Sequence, residues 1–77
     1  MKTTPYFEMR MKERPEIDWT WCERVRRSPL EVVQQDDGRF QMWGYIEEAG
    51  KYLRVITLED RETLDNSFFD RRYEARQ

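Results

Sequence analysis

Four arginines, Arg10, Arg14, Arg54 and Arg71, are the side chains of this sequence best suited to chemistry. A guanidinium stays charged at physiological pH and presents a planar fork of donors. Held in place, it stabilises the pentavalent phosphorane that forms when a 2′-hydroxyl attacks an RNA phosphate, through paired, charge-assisted hydrogen bonds. Arg54 has the best-defined direction, because Leu53 and Val55 flank it in a strand-like run. Each arginine also has a plainer use. Arg54 can pair with Glu13, Glu47 or Asp70, and paired arginines are the usual case in small, highly charged domains. Trp43, Tyr45 and Tyr52 form a second set of candidates, for binding a substrate or a partner. Aromatic rings stack on bases; they equally cover a sheet or form a contact between chains, where Trp and Tyr are enriched.

The absences restrict the reaction type further. There is no histidine, which removes Ser-His-Asp and Cys-His mechanisms. One cysteine without histidine cannot close the tetrahedral shell of a common zinc site, so neither a metal nor a cofactor is expected. Any general acid or base must be Asp, Glu, Tyr, Lys, Arg or Cys. Cys22 sits on an apolar stripe and reads as a small buried hydrophobe. The acidic turns Asp36-Asp37 and Glu59-Asp60-Arg61-Glu62 lack the spacing of a calcium loop, and turns favour such residues in any case. Arg24, Arg26 and Arg27 could meet phosphate, but they also complement the end of a helix, and no helix-turn-helix spacing supports base reading of DNA.

A length of 77 residues supports a single domain, residues 1–77, with one modest core. Such a core is near the limit of independent stability, so a partner or a second copy would help it. Charge is dense but balanced, with a net of -2 and a pI of 5.2, whereas a strongly basic nucleic-acid binder has a pI above about 9. Residues 1–29 hold seven Lys/Arg against five Asp/Glu, and residues 30–77 hold seven against eleven. The first part is therefore the expected side for an anion or an acidic partner. A single cysteine excludes a disulfide-stapled scaffold. Met1–Arg14 shows no signal-peptide pattern, and no segment approaches the roughly 20 apolar residues of a membrane span. A cytoplasmic location without membrane attachment is expected.

Short elements must position the candidate residues. Thr4 caps a helix that Pro5 begins, running over Tyr6–Glu13 with Phe7 and Met11 on one face, until Pro15 stops it. Asp18 caps a second helix over Trp19–Arg27, with Trp21, Cys22 and Val25 forming its stripe. Strands follow over Leu30–Gln35, Arg39–Glu47, Lys51–Leu58 and Thr63–Arg71, separated by turns at Asp36-Asp37-Gly38, Glu48-Ala49-Gly50 and Glu59–Glu62. Three short turns imply an antiparallel meander with one face under the helices and the other partly open. Phe40, Met42, Gly44 and Ile46 read as the core side; Arg39, Gln41, Trp43, Tyr45 and Glu47 read as the other. The tail after Arg72 is polar and expected to fray.

Three segments carry a family likeness: Met9-Arg10-Met11-Lys12-Glu13-Arg14, Gly50-Lys51-Tyr52-Leu53-Arg54-Val55 and Asn66-Ser67-Phe68-Phe69-Asp70-Arg71. Together they resemble a family of small bacterial proteins of unknown function, grouped by fold with the RelE/ParE toxins and more broadly with BrnT and barnase-like nucleases. The likeness spans Tyr6 to Arg72. It implies an α+β fold in which two short N-terminal helices pack on a four-stranded antiparallel meander. It also implies a toxin-like component of a bacterial toxin–antitoxin pair, held by a cognate antitoxin and directed at RNA as a ribonuclease or translation inhibitor. Members of the family carry a histidine near the position of Tyr6-Phe7-Glu8 and another where this chain has Asp65. RelE-type ribonucleases work mainly with Arg, Lys and Tyr, so a metal-independent endoribonuclease remains compatible with the missing histidine. The alternative is a non-catalytic interaction module, a homodimer or a complex with a small partner, that buries Trp43 and Tyr45.

Overall fold

A computed structural model describes residues 1–74. Helix α1 (Pro5–Lys12) starts where the Thr4 hydroxyl accepts the Phe7 N–H at 3.0 Å. Pro5 fills the first turn, where its missing N–H leaves no bond unmade. Helix α2 (Trp19–Arg27) starts where the Asp18 carboxylate accepts the Thr20 N–H at 2.8 Å. Both caps satisfy donors that a helix cannot satisfy internally. Phe7 and Met11 are the buried residues of α1, and Cys22 and Val25 those of α2.

Strands β1 (Glu31–Gln34), β2 (Phe40–Ile46), β3 (Lys51–Thr57) and β4 (Leu64–Phe69) form one antiparallel sheet in the order β1-β2-β3-β4. The strands are shorter than the sequence pattern suggests because their outermost residues go into the turns. Gly38 and Gly50 take φ of 92° and 64°, a left-handed backbone that other residues reach only with strain. The class is α+β, with α1 against β4 and α2 against β2 and β3. Between helices and sheet lies a core that includes Phe7, Met11, Val25, Met42, Leu53 and Val55. Gly44 lets α2 come close: a Cβ there would lie 2.7 Å from Val25 Cγ2.

The expectation of a chain that opens directly into helices is corrected at its start. Thr3 bridges Leu64 in parallel, the Thr4 N–H donates to the Leu64 carbonyl at 3.0 Å, and the Leu64 N–H donates to the Lys2 carbonyl at 2.8 Å. The opening residues thus run beside β4. A register shift between Ile56 and Thr57 sets Asp65 out of the ladder. Asp65 is buried, and accepts Thr4 Oγ1 at 2.9 Å and Arg39 Nη1 at 2.8 Å. The opening segment, the residue before β2, and β4 meet on that one carboxylate. Among the described residues, no helix is long and apolar enough to cross a membrane, and no cluster of carboxylate and thiol groups could hold a metal ion.

Candidate functional site

Register places the candidate residues side by side. Glu31 lies opposite Trp43, Trp43 opposite Arg54, and Arg54 opposite Phe68, so the four form a row across all strands. Tyr45 lies opposite Tyr52 in the neighbouring row. Because side chains alternate along a strand, both rows project from the face away from the helices.

Asp70 is the hub of this face. Its Oδ2 accepts Trp43 Nε1 at 3.0 Å, Arg54 Nε at 3.1 Å and Arg54 Nη2 at 2.6 Å. Burial pushes the Asp70 carboxyl up, but the hydrogen bonds from Trp43, Arg54 and the Arg72 N–H outweigh it and hold its pKa below the ordinary value. Arg54 lies 5.4 Å from the Trp43 ring centre and 4.9 Å from that of Phe68. Such cation–π contacts fix a guanidinium's plane as well as attract it. Two of its nitrogens hold Asp70, while Nη1 makes no hydrogen bond among the described residues.

Arg14 reaches the same region around the outer edge of β4. Its Nη1 donates to Asn66 Oδ1 at 2.9 Å and to the Ser67 carbonyl at 2.7 Å, and its guanidinium lies 5.6 Å from the Phe68 ring centre. Phe68 therefore contacts both Arg14 and Arg54. Arg71 is exposed in the turn after β4. With Lys51, Tyr52, Phe69 and Tyr73 it lines a cleft of about 440 Å³. Arg10 stays apart on α1, where it pairs with Glu13 at 2.9 Å and lies 5.9 Å from the Tyr6 ring centre.

The aromatic candidates differ in access. Tyr45 is 47% exposed, whereas Trp43 is only 8% exposed although it projects from the open face. The cover comes from Tyr73, which stacks on Trp43 at 5.0 Å with an interplanar angle of 11° and meets Tyr52 edge-on at 5.1 Å. The Tyr73 hydroxyl donates to Glu31 at 2.9 Å. The expectation of a frayed tail after Arg72 is thus corrected at Tyr73, where ring stacking outweighs the polar composition of the segment; residues 75–77 lie outside the described residues. A second cleft of about 320 Å³ opens between β1 and this segment, lined by Glu31, Val33, Trp43, Arg54 and Tyr73.

Sequence patterns alone left Phe68, Asn66 and Tyr73 without a role. Asp70 entered only as a candidate ion-pair partner of Arg54. One signal pointed to it: the indole N–H of Trp43, inside an apolar run, needs an acceptor once buried. The basic α2 segment turns inward electrostatically. Arg26 pairs with Glu23 within the helix, while Arg24 pairs with Glu48 at 2.9 Å and Lys2 with Glu62 at 3.0 Å, so the excess positive charge of residues 1–29 is matched from the rest of the chain. Cys22 is fully buried, its Sγ 3.2 Å from Ser67 Oγ, and burial pushes its pKa up to about 11. It has no thiolate to offer near neutral pH. Comparison with models of known protein families, with curated proteins and with solved structures finds no match, which leaves the chemistry of this face as the guide to its use.

Proposed function

We propose that this chain is the toxin-like member of a bacterial toxin–antitoxin pair, and that it inhibits translation by binding RNA rather than by cutting it. The observation that supports this reading is the gathering of Trp43, Tyr45, Tyr52, Arg54 and Arg14 about one helix-free sheet face, with Arg71 at its end. Rings and guanidinium groups in one surface suit a single strand, whose bases stack while its phosphates take charged donors. Arg54 keeps Nη1 for such a phosphate, and Lys51 and Arg71 add charge beside Tyr52. Binding is favoured over cleavage because the carboxylate at the centre of the face is already engaged and neither a thiolate nor an imidazole stands beside it. Asp70 is held by Arg54 and Trp43, Cys22 is buried as a thiol, and histidine is absent. The family likeness of the three motifs supplies the antitoxin as the expected partner.

The test is induced expression in bacteria, alone and together with the product of the neighbouring gene. Native chain is expected to arrest growth, and the neighbour to relieve the arrest. Arg71→Glu, which changes an exposed side chain, is expected to abolish the arrest at equal expression, while Arg10→Ala leaves it intact. Arrest that survives Arg71→Glu and Tyr52→Ala together would remove the RNA-facing role from this surface. A second reading, a non-catalytic interaction module, is favoured by the exposure of Leu30 (59%), Tyr45 (47%) and Val33 (40%). Absence of arrest, with a stable complex still recovered, decides for it.

A further inference from the structure

The two edges of the sheet are treated differently. The β4 edge is occupied: Leu64 bonds to Lys2 and Thr4, the Ser67 N–H meets Asn66 Oδ1 at 2.9 Å, and the Ser67 carbonyl accepts Arg14. Among the described residues, the β1 edge has no such backbone cover. The Gln35 N–H donates to the Arg39 carbonyl at 2.7 Å. In an antiparallel ladder, bonded pairs alternate, so residues 31, 33 and 35 turn their backbone groups to β2 and Val32 and Gln34 turn theirs outward. Among the described residues, neither outward pair receives a hydrogen bond from another part of the chain. The sequence Glu31-Val32-Val33-Gln34 contains no proline, no lysine and no bulge, three devices against edge pairing; its other protections are the charge of Glu31 and a length of 4 residues.

We propose that β1 is a dimerisation edge, and that two copies pair antiparallel through Glu31–Gln34 to make one continuous sheet. This stands independently of the RNA reading. Charge selects a second copy in antiparallel orientation. Arg27, with a side chain 73% exposed and a 3.4 Å contact to Glu23, precedes β1; the exposed Asp36 follows it, beside Asp37, which Arg39 already holds at 2.8 Å. A two-fold axis normal to the sheet brings the acidic turn of each copy towards the arginine of the other. That axis keeps the helices of both copies on one side only if it passes through a residue. Val33 fits, because an axis at Val32 would set Gln34 against Leu30 of the copy, whose N–H is already donated to the Trp43 carbonyl at 2.7 Å. Glu31 then faces Gln35 of the copy and never another Glu31. The outer-face Val33 and the flanking Leu30 lose exposed apolar surface in the process. A pairing this short buries less than a standard interface, so the dimer is weak and concentration-dependent.

Sedimentation velocity of the full chain over micromolar to submillimolar concentrations tests this. The expected result is reversible conversion to a species of twice the 9.6 kDa chain mass. Val33→Lys and Gln34→Pro should each return the protein to monomer with an unchanged circular dichroism spectrum. The proline is tolerable because the Gln34 N–H points away from β2. Arg27→Asp should weaken the dimer about fivefold, the scale of its two symmetry-related surface ion pairs, and adding Asp36→Arg should restore it. A native chain that stays monomeric throughout, a dimer that survives both edge variants, or a charge swap that restores nothing overturns the proposal.

Discussion

Asp70 carries more of the open face than any other single side chain, because one carboxylate holds the indole of Trp43 and two nitrogens of Arg54. Its pKa is depressed in the folded protein. A carboxyl depressed by folding lends stability at pH values above its unfolded pKa and withdraws it as the pH falls through the folded value. The protein is therefore expected to lose part of its stability on acidification below about pH 4, the ordinary aspartate range. Tryptophan emission should shift with that step, since Trp43 loses its acceptor. Asp70→Asn should remove the step and lower stability by about 1–3 kcal/mol, as for a buried polar group that loses its charged partner. An unchanged acid transition in Asp70→Asn would assign the titration elsewhere. At this scale the sequence was half legible. Arg54 and Asp70 were visible as possible partners, but Glu13 and Glu47 were equal competitors until register put Arg54 opposite Phe68 and within reach of the residue two beyond it.

Among the elements, α2 shows how closely packing and sequence agree. Its start, its stripe and its basic end follow from Asp18, Cys22, Val25 and the last-turn arginines. Its depth against the sheet does not; Gly44 decides it. A methyl group at residue 44 would meet the stiff, β-branched Val25 at 2.7 Å. Gly44→Ala is expected to cost about 1–3 kcal/mol by overpacking, and thus to lower Tm by about 4–8 °C for each kcal/mol in a domain of this size. Adding Val25→Ala should make the two losses clearly less than additive, because the second change opens the space that the first needs. Full additivity in urea denaturation would mean that Val25 is not what limits the approach. The hairpin glycines are simpler, since a left-handed residue in a tight turn is a local requirement and Gly38 and Gly50 could be read directly.

At the scale of the whole molecule, helices close one face of the sheet and the chain's own C-terminal segment partly closes the other. Tyr73 occupies on Trp43 the kind of stacked position that a base would take on an RNA-binding face. If the face binds RNA, Tyr73 competes with it. Tyr73→Ala is expected to increase quenching of tryptophan emission by acrylamide and to tighten binding of a short oligouridylate several-fold. Weaker binding in Tyr73→Ala would instead make Tyr73 part of the binding platform. The charge pattern changes meaning at this scale too. Residues 1–29 are net basic, yet Arg24 and Arg26 meet Glu48 and Glu23, while the exposed Lys51 and Arg71 sit beside the cleft at the opposite end of the sequence.

The sequence by itself determined the local features: the caps at Thr4 and Asp18, the stop at Pro15, the turns at Gly38 and Gly50, the α+β class and the order of strands in a meander. Each depends on backbone preferences and hydrophobic spacing within a few residues, so neighbours in the chain suffice to specify it. Tertiary structure alone decided that Lys2–Thr4 lie along β4, that Asp65 joins Thr4 to Arg39, that Tyr73 covers Trp43, and that among the described residues one sheet edge is sealed while the other is open. Those outcomes join residues far apart in sequence. Several partners of like chemistry compete for each such contact, and only the register of the folded sheet brings one of them within bonding distance.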